Sequence, residues 1–484
     1  MTVTGPRGPH GIRDHGHNRK NAFDLEKSTE NRDSIRQYAI CAPQRGCATI
    51  RNETDPMQLH DLELSALQDR IAAARADFEA FQALELRLDM TRGKPSAAQL
   101  DLADAMLGNL GPQDVFTASG DDARNYGGLQ GLPEVRALFA GLLGAPPEQV
   151  VVGENSSLAL MHDCLAWAML HGVPGSTQPW SRESAPAFLC PSPGYDRHFA
   201  LCEAFGIRMI PVPMTGEGPD MDVVEAHMRD PAVKGMWCVP LYSNPTGEIY
   251  SPETVRRLAQ MPTGAPDFRL FWDNAYAVHH LTPDPAVLED ILPACAQAGH
   301  DDRAFVFAST SKITFAGAGL AFFGGSPANV GWFLEMAGRR SIGPDKLNQL
   351  RHLRFFGDAE GLKRHMDAHR AILAPKFDAV DAALRERFDD LAIAQWRRPR
   401  GGYFISVDAR PGTARKVVTL ARELGIALTP AGATWPGGHD PQDANLRLAP
   451  SFPPLEDVRT ASQGIALCIL IAALEAERDA RLNS

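Results

Sequence analysis

Residues 304–312 read Ala304-Phe305-Val306-Phe307-Ala308-Ser309-Thr310-Ser311-Lys312. The first five are apolar and centred on a β-branched residue between aromatics, which predicts a short buried strand. A lysine at the exit of a core strand is oddly placed for a solvated charge. Read alone, the tetrapeptide at 309–312 is compatible with a plain surface lysine. Two chemical jobs also fit it, formation of a Schiff base or binding of phosphate, and the flanking hydroxyls suit a phosphate.

Outward from this stretch, similar runs recur between about residues 110 and 330. Strands are predicted at 149–152, 187–190, 207–212, 235–241 and 269–272, with helices near 156–170, 198–205 and 252–260. Near-continuous apolar strands separated by helical stretches predict an α/β fold whose sheet is mostly parallel and sandwiched by helices. The remainder predicts a smaller α+β domain at 361–484. It contains a helical stretch at 362–388 that Pro375 is expected to kink or divide, strands at 402–407 and 444–448, and helices at 414–424 and 455–481. Residues 57–110, opening with a periodic helix at 59–84, are expected to join that smaller domain, leaving 111–360 as the large one.

Composition narrows the function classes. The chain has 484 residues, is 44% hydrophobic and 22% charged, and carries a net charge of −11. That charge disfavours nucleic-acid and anionic-membrane partners, which favour a basic face, and fits a cytoplasmic enzyme that draws anionic ligands to a local positive pocket. Eight cysteines are scattered without a Cys-x-x-Cys pair, so buried reduced thiols are expected, with neither a disulfide framework nor a metal site. No stretch of some 18 apolar residues predicts a membrane span, and 464–474 reads as one side of a C-terminal packing helix. Residues 1–56 show no period and mix His, Arg, Asn and acids. They are expected to be a disordered extension, or translation to begin at Met57.

In open parallel sheets, ligands bind beyond the carboxyl ends of the strands. Polar segments follow four of the predicted strands there: Tyr195 and His198, the turn Asn244-Pro245-Thr246-Gly247, Asp273-Asn274-Ala275-Tyr276, and Ser309 to Lys312. Each has a bland reading, since Asn-Pro-Thr-Gly makes a good turn and Asp273 could cap a helix. Four at one sheet edge predict a site.

These motifs, in this order and spacing, resemble aminotransferase class I/II, the pyridoxal-phosphate-dependent enzymes of fold type I. The similarity runs from about Leu88 to the C-terminus. Leu88 to Ser96, Asn125-Tyr126-Gly127-Gly128 and Ser341 to Lys346 look like the bacterial aspartate aminotransferase subgroup typified by corynebacterial enzymes. The resemblance implies pyridoxal 5′-phosphate as cofactor, amino and 2-oxo acids as substrates, and a homodimer with shared active sites.

It also implies roles. Lys312 forms the Schiff base and moves the substrate proton, Asp273 pairs with the pyridine nitrogen, and His198 supports Asp273 or is simply a structural histidine. Asn244 and Tyr276 bond the phenolic oxygen, and Tyr195 stacks on the ring. Asn155, Ser156, Ser157, Ser309 and Ser311 serve the phosphate, the first three at a helix N-terminus that favours anions. Tyr126 reaches the neighbouring subunit's phosphate. Arg447 clamps the substrate α-carboxylate beside Gly93, and Lys346, at the spacing of a cation supplied across the subunit boundary, reads the distal carboxylate, with Arg92, Lys94, Arg339 and Arg340 as rivals. One departure stands out: the family's phosphate arginine is replaced in Gly319-Leu320-Ala321. Transamination between L-aspartate and 2-oxoglutarate is the expected activity. Enzymes for aromatic or kynurenine-like amino acids, and a transcriptional regulator on the same fold, are its rivals.

Overall fold

The computed structural model describes residues 57–388 and 390–483. The expectations for residues 1–56, and Cys41 and Cys47 with them, lie outside the described residues. The strands are β1 (Leu88–Asp89), β2 (Val150–Val152), β3 (Ala187–Ser192), β4 (Arg208–Pro213), β5 (Val233–Cys238), β6 (Arg269–Asp273), β7 (Ala304–Ser309), β8 (Ala321–Gly324), β9 (Ala394–Trp396), β10 (Ile405–Ala409), β11 (Ile426–Ala427) and β12 (Asn445–Leu448). Six helices frame the argument: α1 (Leu64–Gln82), α2 (Ser157–His171), α3 (Asp196–Ala204), α4 (Lys346–Phe356), α5 (Ala359–Phe388) and α6 (Leu455–Leu482).

The fold is α/β, with seven strands ordered β2-β8-β7-β6-β5-β3-β4. The pairings β4/β3, β3/β5, β5/β6 and β6/β7 are parallel, while β8 runs antiparallel to both β7 and β2. Every residue of β3, β5, β6 and β7 is buried, which explains their unbroken apolar runs: both faces of the sheet are covered. Two apolar cores flank it. One holds Val152, Leu189, Met236, Trp272 and Val306; the other holds Phe188, Trp237, Phe271, Phe305 and Phe307. Alternate residues of one strand feed opposite cores, as the two-residue period demands.

A third core lies under the antiparallel sheet β12-β10-β9 and the two-residue parallel pairing of β1 with β11. It takes Leu67, Ile71 and Phe78 from α1, Phe377 and Leu384 from α5, and Ile465, Leu467 and Ile469 from α6. Helix α6 is long and apolar enough to cross a membrane, yet most of that apolar window is buried inside this core.

Pro375 neither ends nor divides α5, which runs as one element of 30 residues. A proline inside a helix costs about 3 kcal/mol. Here Leu373, Phe377, Val380 and Leu384 are buried on both sides of it, and their packing outweighs that cost. The predicted helix at 59–84 is a 3-10 turn at Leu59–Asp61 followed by α1. The six described cysteines are free and buried.

Candidate active site

Because β7, β6, β5 and β3 are neighbours in the sheet, the four polar segments predicted at their ends converge. A cavity of about 560 Å3 opens there. Its walls include Tyr195, Asn244, Asp273, Tyr276 and Lys312 from the sheet edge, and Gly93, Phe404 and Arg447 from the smaller layer.

Asp273 ends β6 and is only 3% exposed. Its Oδ2 lies 3.2 Å from His198 Nε2, while its Oδ1 is buried without a hydrogen-bond partner. His198 stacks face to face on Trp237, with centroids 4.3 Å apart and planes at 7°, and meets the Tyr195 ring edge-on at 4.9 Å. Packed on two sides, the imidazole is held in one orientation toward the carboxylate. Burial pushes the Tyr195 phenol up to about 12 and that of Tyr276 well above its usual range, so both stay protonated.

Lys312 sits half-buried in the loop after β7, its Nζ 5.3 Å from the Tyr276 ring centroid. Burial lowers its pKa from the usual lysine value, and the negative charge of Asp273 opposes this only in part. The loop itself is pinned by buried polar groups. The Lys312 carbonyl accepts from Tyr403 OH at 3.2 Å and lies 3.4 Å from His279 Nε2. Gln99 Nε2 donates to Tyr403 OH at 2.9 Å and lies 3.0 Å from His369 Nδ1. On the other side of the loop, Thr310 and Thr314 hydroxyls lie 3.1 and 3.0 Å from His352 Nε2.

Arg447, on β12, is 8% exposed. Its Nη1 donates to Asp196 Oδ1 at 2.8 Å and to Asn244 Oδ1 at 3.4 Å, and its guanidinium lies 5.0 Å from the Phe404 ring centroid. Its buried Nε has no partner, leaving one edge of the fork open. Gly93 is required by this packing, because a Cβ there would overlap the Phe404 ring.

Ser156 is the N-cap residue of α2, and its side chain makes no capping bond. Ser156 and Ser157 line the cavity with the first-turn N–H groups of a 15-residue helix beside them. Ser309 and Ser311 line it as well. Asn155 does not: its side chain reaches Gly317 O at 3.4 Å, and its carbonyl accepts from Ser311 Oγ at 2.8 Å.

Tyr126 and Lys346, both expected to act across a subunit boundary, lie outside this cavity. Tyr126 is 81% exposed and lines a separate hollow with Lys346. Lys346, expected to read a distal carboxylate, is buried. Its Nζ donates to Asn125 O at 2.6 Å and to Gly127 O at 2.7 Å. Two of its three N–H donors are thus taken by the loop that presents Tyr126.

The aspartate amino-transferase family model matches residues 62–481. The chain belongs to this family. It is 51% identical over 398 residues to the aspartate aminotransferase of Corynebacterium glutamicum, covering 82% of this chain and 92% of that protein. A Mycolicibacterium smegmatis relative, named as an aminotransferase without a substrate, is 55% identical over 403 residues, 83% of this chain and 94% of the relative. The crystal structure of a Corynebacterium glutamicum aspartate transaminase superposes with a TM-score of 0.85 at 49% identity, covering 87% of this chain and all of that one. The protein is an aminotransferase of fold type I, a family whose cofactor is pyridoxal 5′-phosphate.

The residues present suit that cofactor. A ring N–H would satisfy the orphaned Oδ1 of Asp273, and no donor among the described residues does so. The helix terminus at Ser156 and the hydroxyls of Ser309 suit a phosphate on the other side of the cavity. Reading the sequence missed Asp196, Arg197, Tyr403 and Gln99. For the first two a signal existed: they directly follow Tyr195, so the turn that brings one residue to the cavity brings the next two. Tyr403 and Gln99 carry no such mark, because they act through the backbone of Lys312.

Proposed function

We propose that this aminotransferase moves the amino group between L-aspartate and 2-oxoglutarate, with Lys312 as the residue that carries pyridoxal phosphate. The observation that supports this best is the meeting of a depressed lysine, a half-satisfied buried carboxylate and a half-open arginine around one cavity. Pyridoxal phosphate, when bound, supplies a carbonyl carbon for the amino group and a ring that accepts electrons from the substrate Cα.

The chain's own groups then divide the work. Asp273 Oδ1 takes the ring N–H and keeps that nitrogen protonated, while His198 fixes Oδ2 so that the free oxygen faces the ring. Asn244 and Tyr276 donate to the phenolic oxygen, and Tyr195 covers one ring face. The N-terminus of α2 with Ser156, Ser157, Ser309 and Ser311 holds the phosphate, and Tyr126 of the partner subunit adds a hydroxyl from across a homodimer. Arg447 takes the substrate α-carboxylate on its open Nε edge, a planar bidentate contact that lysine could not copy. Lys312 Nζ, its pKa lowered by burial, would take the Cα proton and return it to the carbon two bonds away, on the far side of the nitrogen. The choice of aspartate draws on the Corynebacterium glutamicum relative.

The test is to add amino acids singly to the purified holo-protein and follow its absorption spectrum. Aspartate is expected to bleach the yellow form without a second substrate, and 2-oxoglutarate to restore it. A faster response to an aromatic amino acid than to aspartate would overturn the substrate assignment. Borohydride reduction followed by peptide mapping is expected to place the cofactor on Lys312.

A further inference from the structure

The support of Lys312 extends one residue beyond its own carbonyl. Ile313 is 1% exposed, and its carbonyl lies 2.7 Å from His365 Nε2. His365 is on α5, where its ring stands edge-on to Phe355 and Phe356. One turn later, His369 Nε2 lies 3.0 Å from the same His365 nitrogen. The pair sits where α5 passes from one core to another. Leu362 and Met366 belong to the core that holds Trp272 and Val306, while Leu373 and Phe377 belong to the core under β12-β10-β9.

The protons at this junction follow from its fixed end. Gln99 Oε1 accepts from the Ser96 N–H at 3.1 Å, which sets the orientation of the amide. Gln99 Nε2 therefore donates to both Tyr403 OH and His369 Nδ1. A neutral His369 then carries its proton on Nε2, aimed at His365. A carbonyl oxygen only accepts, so Ile313 calls on His365 Nε2 for a proton, while the His369 N–H calls on the same atom for a lone pair. One ring nitrogen cannot give both.

Two settings result. With His365 Nε2 protonated, Ile313 is anchored and the His369 N–H has no acceptor there. With that nitrogen bare, His369 is satisfied and the Ile313 carbonyl is released. An added proton on either ring supplies no acceptor, in keeping with the lowered pKa of both. No other group among the described residues supplies the missing partner. Asp367 and Arg370 of α5 pair with each other at 2.6 Å, His279 and Tyr403 attend the Lys312 carbonyl, and His352 attends Thr310 and Thr314. Each setting thus leaves one buried polar group unpaired, so the two costs largely cancel and both settings stay accessible.

We propose that His365 and His369 are a positioning pair for Lys312, whose contested proton gives the lysine's loop two settings, Ile313 anchored or released. One setting serves the lysine joined to the cofactor and the other the free amine that moves a proton. Neither histidine lines the cavity, and both act through the backbone beside Lys312. The inference rests on the reading of Lys312 as the cofactor lysine.

Two variants of the holoenzyme lock the settings in opposite senses. His369→Phe removes the competing N–H and keeps Ile313 anchored, whereas His365→Phe removes the donor and keeps Ile313 released. Locking takes the other setting from roughly half of the molecules to about a tenth or fewer, so kcat is expected to fall about fivefold or more in each variant, with KM for aspartate held within about twofold. The pH midpoint of the cofactor absorbance is expected to move in opposite directions in the two, whereas lost packing alone would move both the same way or neither. In the wild-type protein, nitrogen NMR of labelled histidines, assigned with these variants, is expected to show His365 Nε2 divided between protonated and bare forms. A single form in every molecule, or midpoints that move together or stay put, overturns the junction. Borohydride mapping that places the cofactor on another lysine overturns the Lys312 reading instead, whatever His365 shows.

Discussion

Asp273 is held from one side only: His198 Nε2 lies 3.2 Å from Oδ2, and no group among the described residues bonds Oδ1. The imidazole cannot turn away, since it is stacked on Trp237. The arrangement aims a buried charge at a ligand and predicts unequal losses from its two members. Asp273→Asn is expected to lower kcat/KM by about 10^3, near 4 kcal/mol of transition-state stabilisation, because the ring nitrogen loses its counter-charge. His198→Gln is expected to cost about tenfold, because it loosens the carboxylate without removing it. Steady-state kinetics with aspartate checks both, and equal losses would argue that the histidine does more than orient.

Lys346 provides a second prediction. Removing its ammonium with Lys346→Met strands the carbonyls of Asn125 and Gly127, which now accept from it at 2.6 and 2.7 Å. The expected cost is about 1.5–3 kcal/mol, seen as a lower Tm. The ratio of aspartate to alanine turnover is expected to stay as in wild type. A collapse of that ratio would return Lys346 to the role expected from its spacing.

Tyr403 and Gln99 carry a third. Tyr403→Phe removes a donor to the Lys312 carbonyl and leaves His279, at 3.4 Å, as its remaining side-chain neighbour. Global stability is expected to fall by about 1 kcal/mol. A role in positioning also predicts a shifted pH titration of the cofactor absorbance, which a purely structural role would not produce. Measuring both separates the two.

Several histidines around this loop are buried and neutral, which sets the acid limit of the fold. Burial pushes His352 down to about 4 and His369 to about 3, and lowers His279 and His365 from 6.5 as well. Between pH 6.5 and these depressed values the unfolded chain binds protons that the folded chain refuses. Stability is therefore full above pH 6.5 and falls as the pH drops, by about 1.4 kcal/mol per unit for each such group. Thermal unfolding from pH 8 to 4 is expected to show Tm declining from near pH 6.5, before the carboxylates titrate. A Tm flat down to pH 5 would mean that the imidazoles are not so deeply enclosed.

What could be read from the sequence follows from where the information lies. The strands ending at Ser192, Cys238, Asp273 and Ser309 were legible because a parallel sheet covered on both faces writes itself as short apolar runs. Their adjacency was not, since strand order is fixed by packing between distant segments. Ala321-Phe322-Phe323-Gly324 had the composition of a strand and passed unread, though it pairs with both β2 and β7. Pro375 misled because local propensity was weighed without the core on either side of it. Lys346 shows a related limit. Spacing along the chain cannot reveal that two carbonyls more than two hundred residues away accept from its ammonium.

The core beneath β12, β10 and β9 joins α1, near the start of the described chain, to α6, near its end. Arg75 Nε donates to Glu475 at 2.7 Å, and Arg481 donates to the carbonyls of Leu59 and Leu62 at 2.7 Å. During synthesis the seven-stranded sheet can assemble once residue 324 has left the ribosome. The strand bearing Arg447 has no finished layer to rest on until residues 455–482 follow, and α1 waits with its apolar side uncovered for most of translation. Birth of the active enzyme is thus a late event, and a frameshift in the last thirty codons would disarm a molecule whose larger half had already folded.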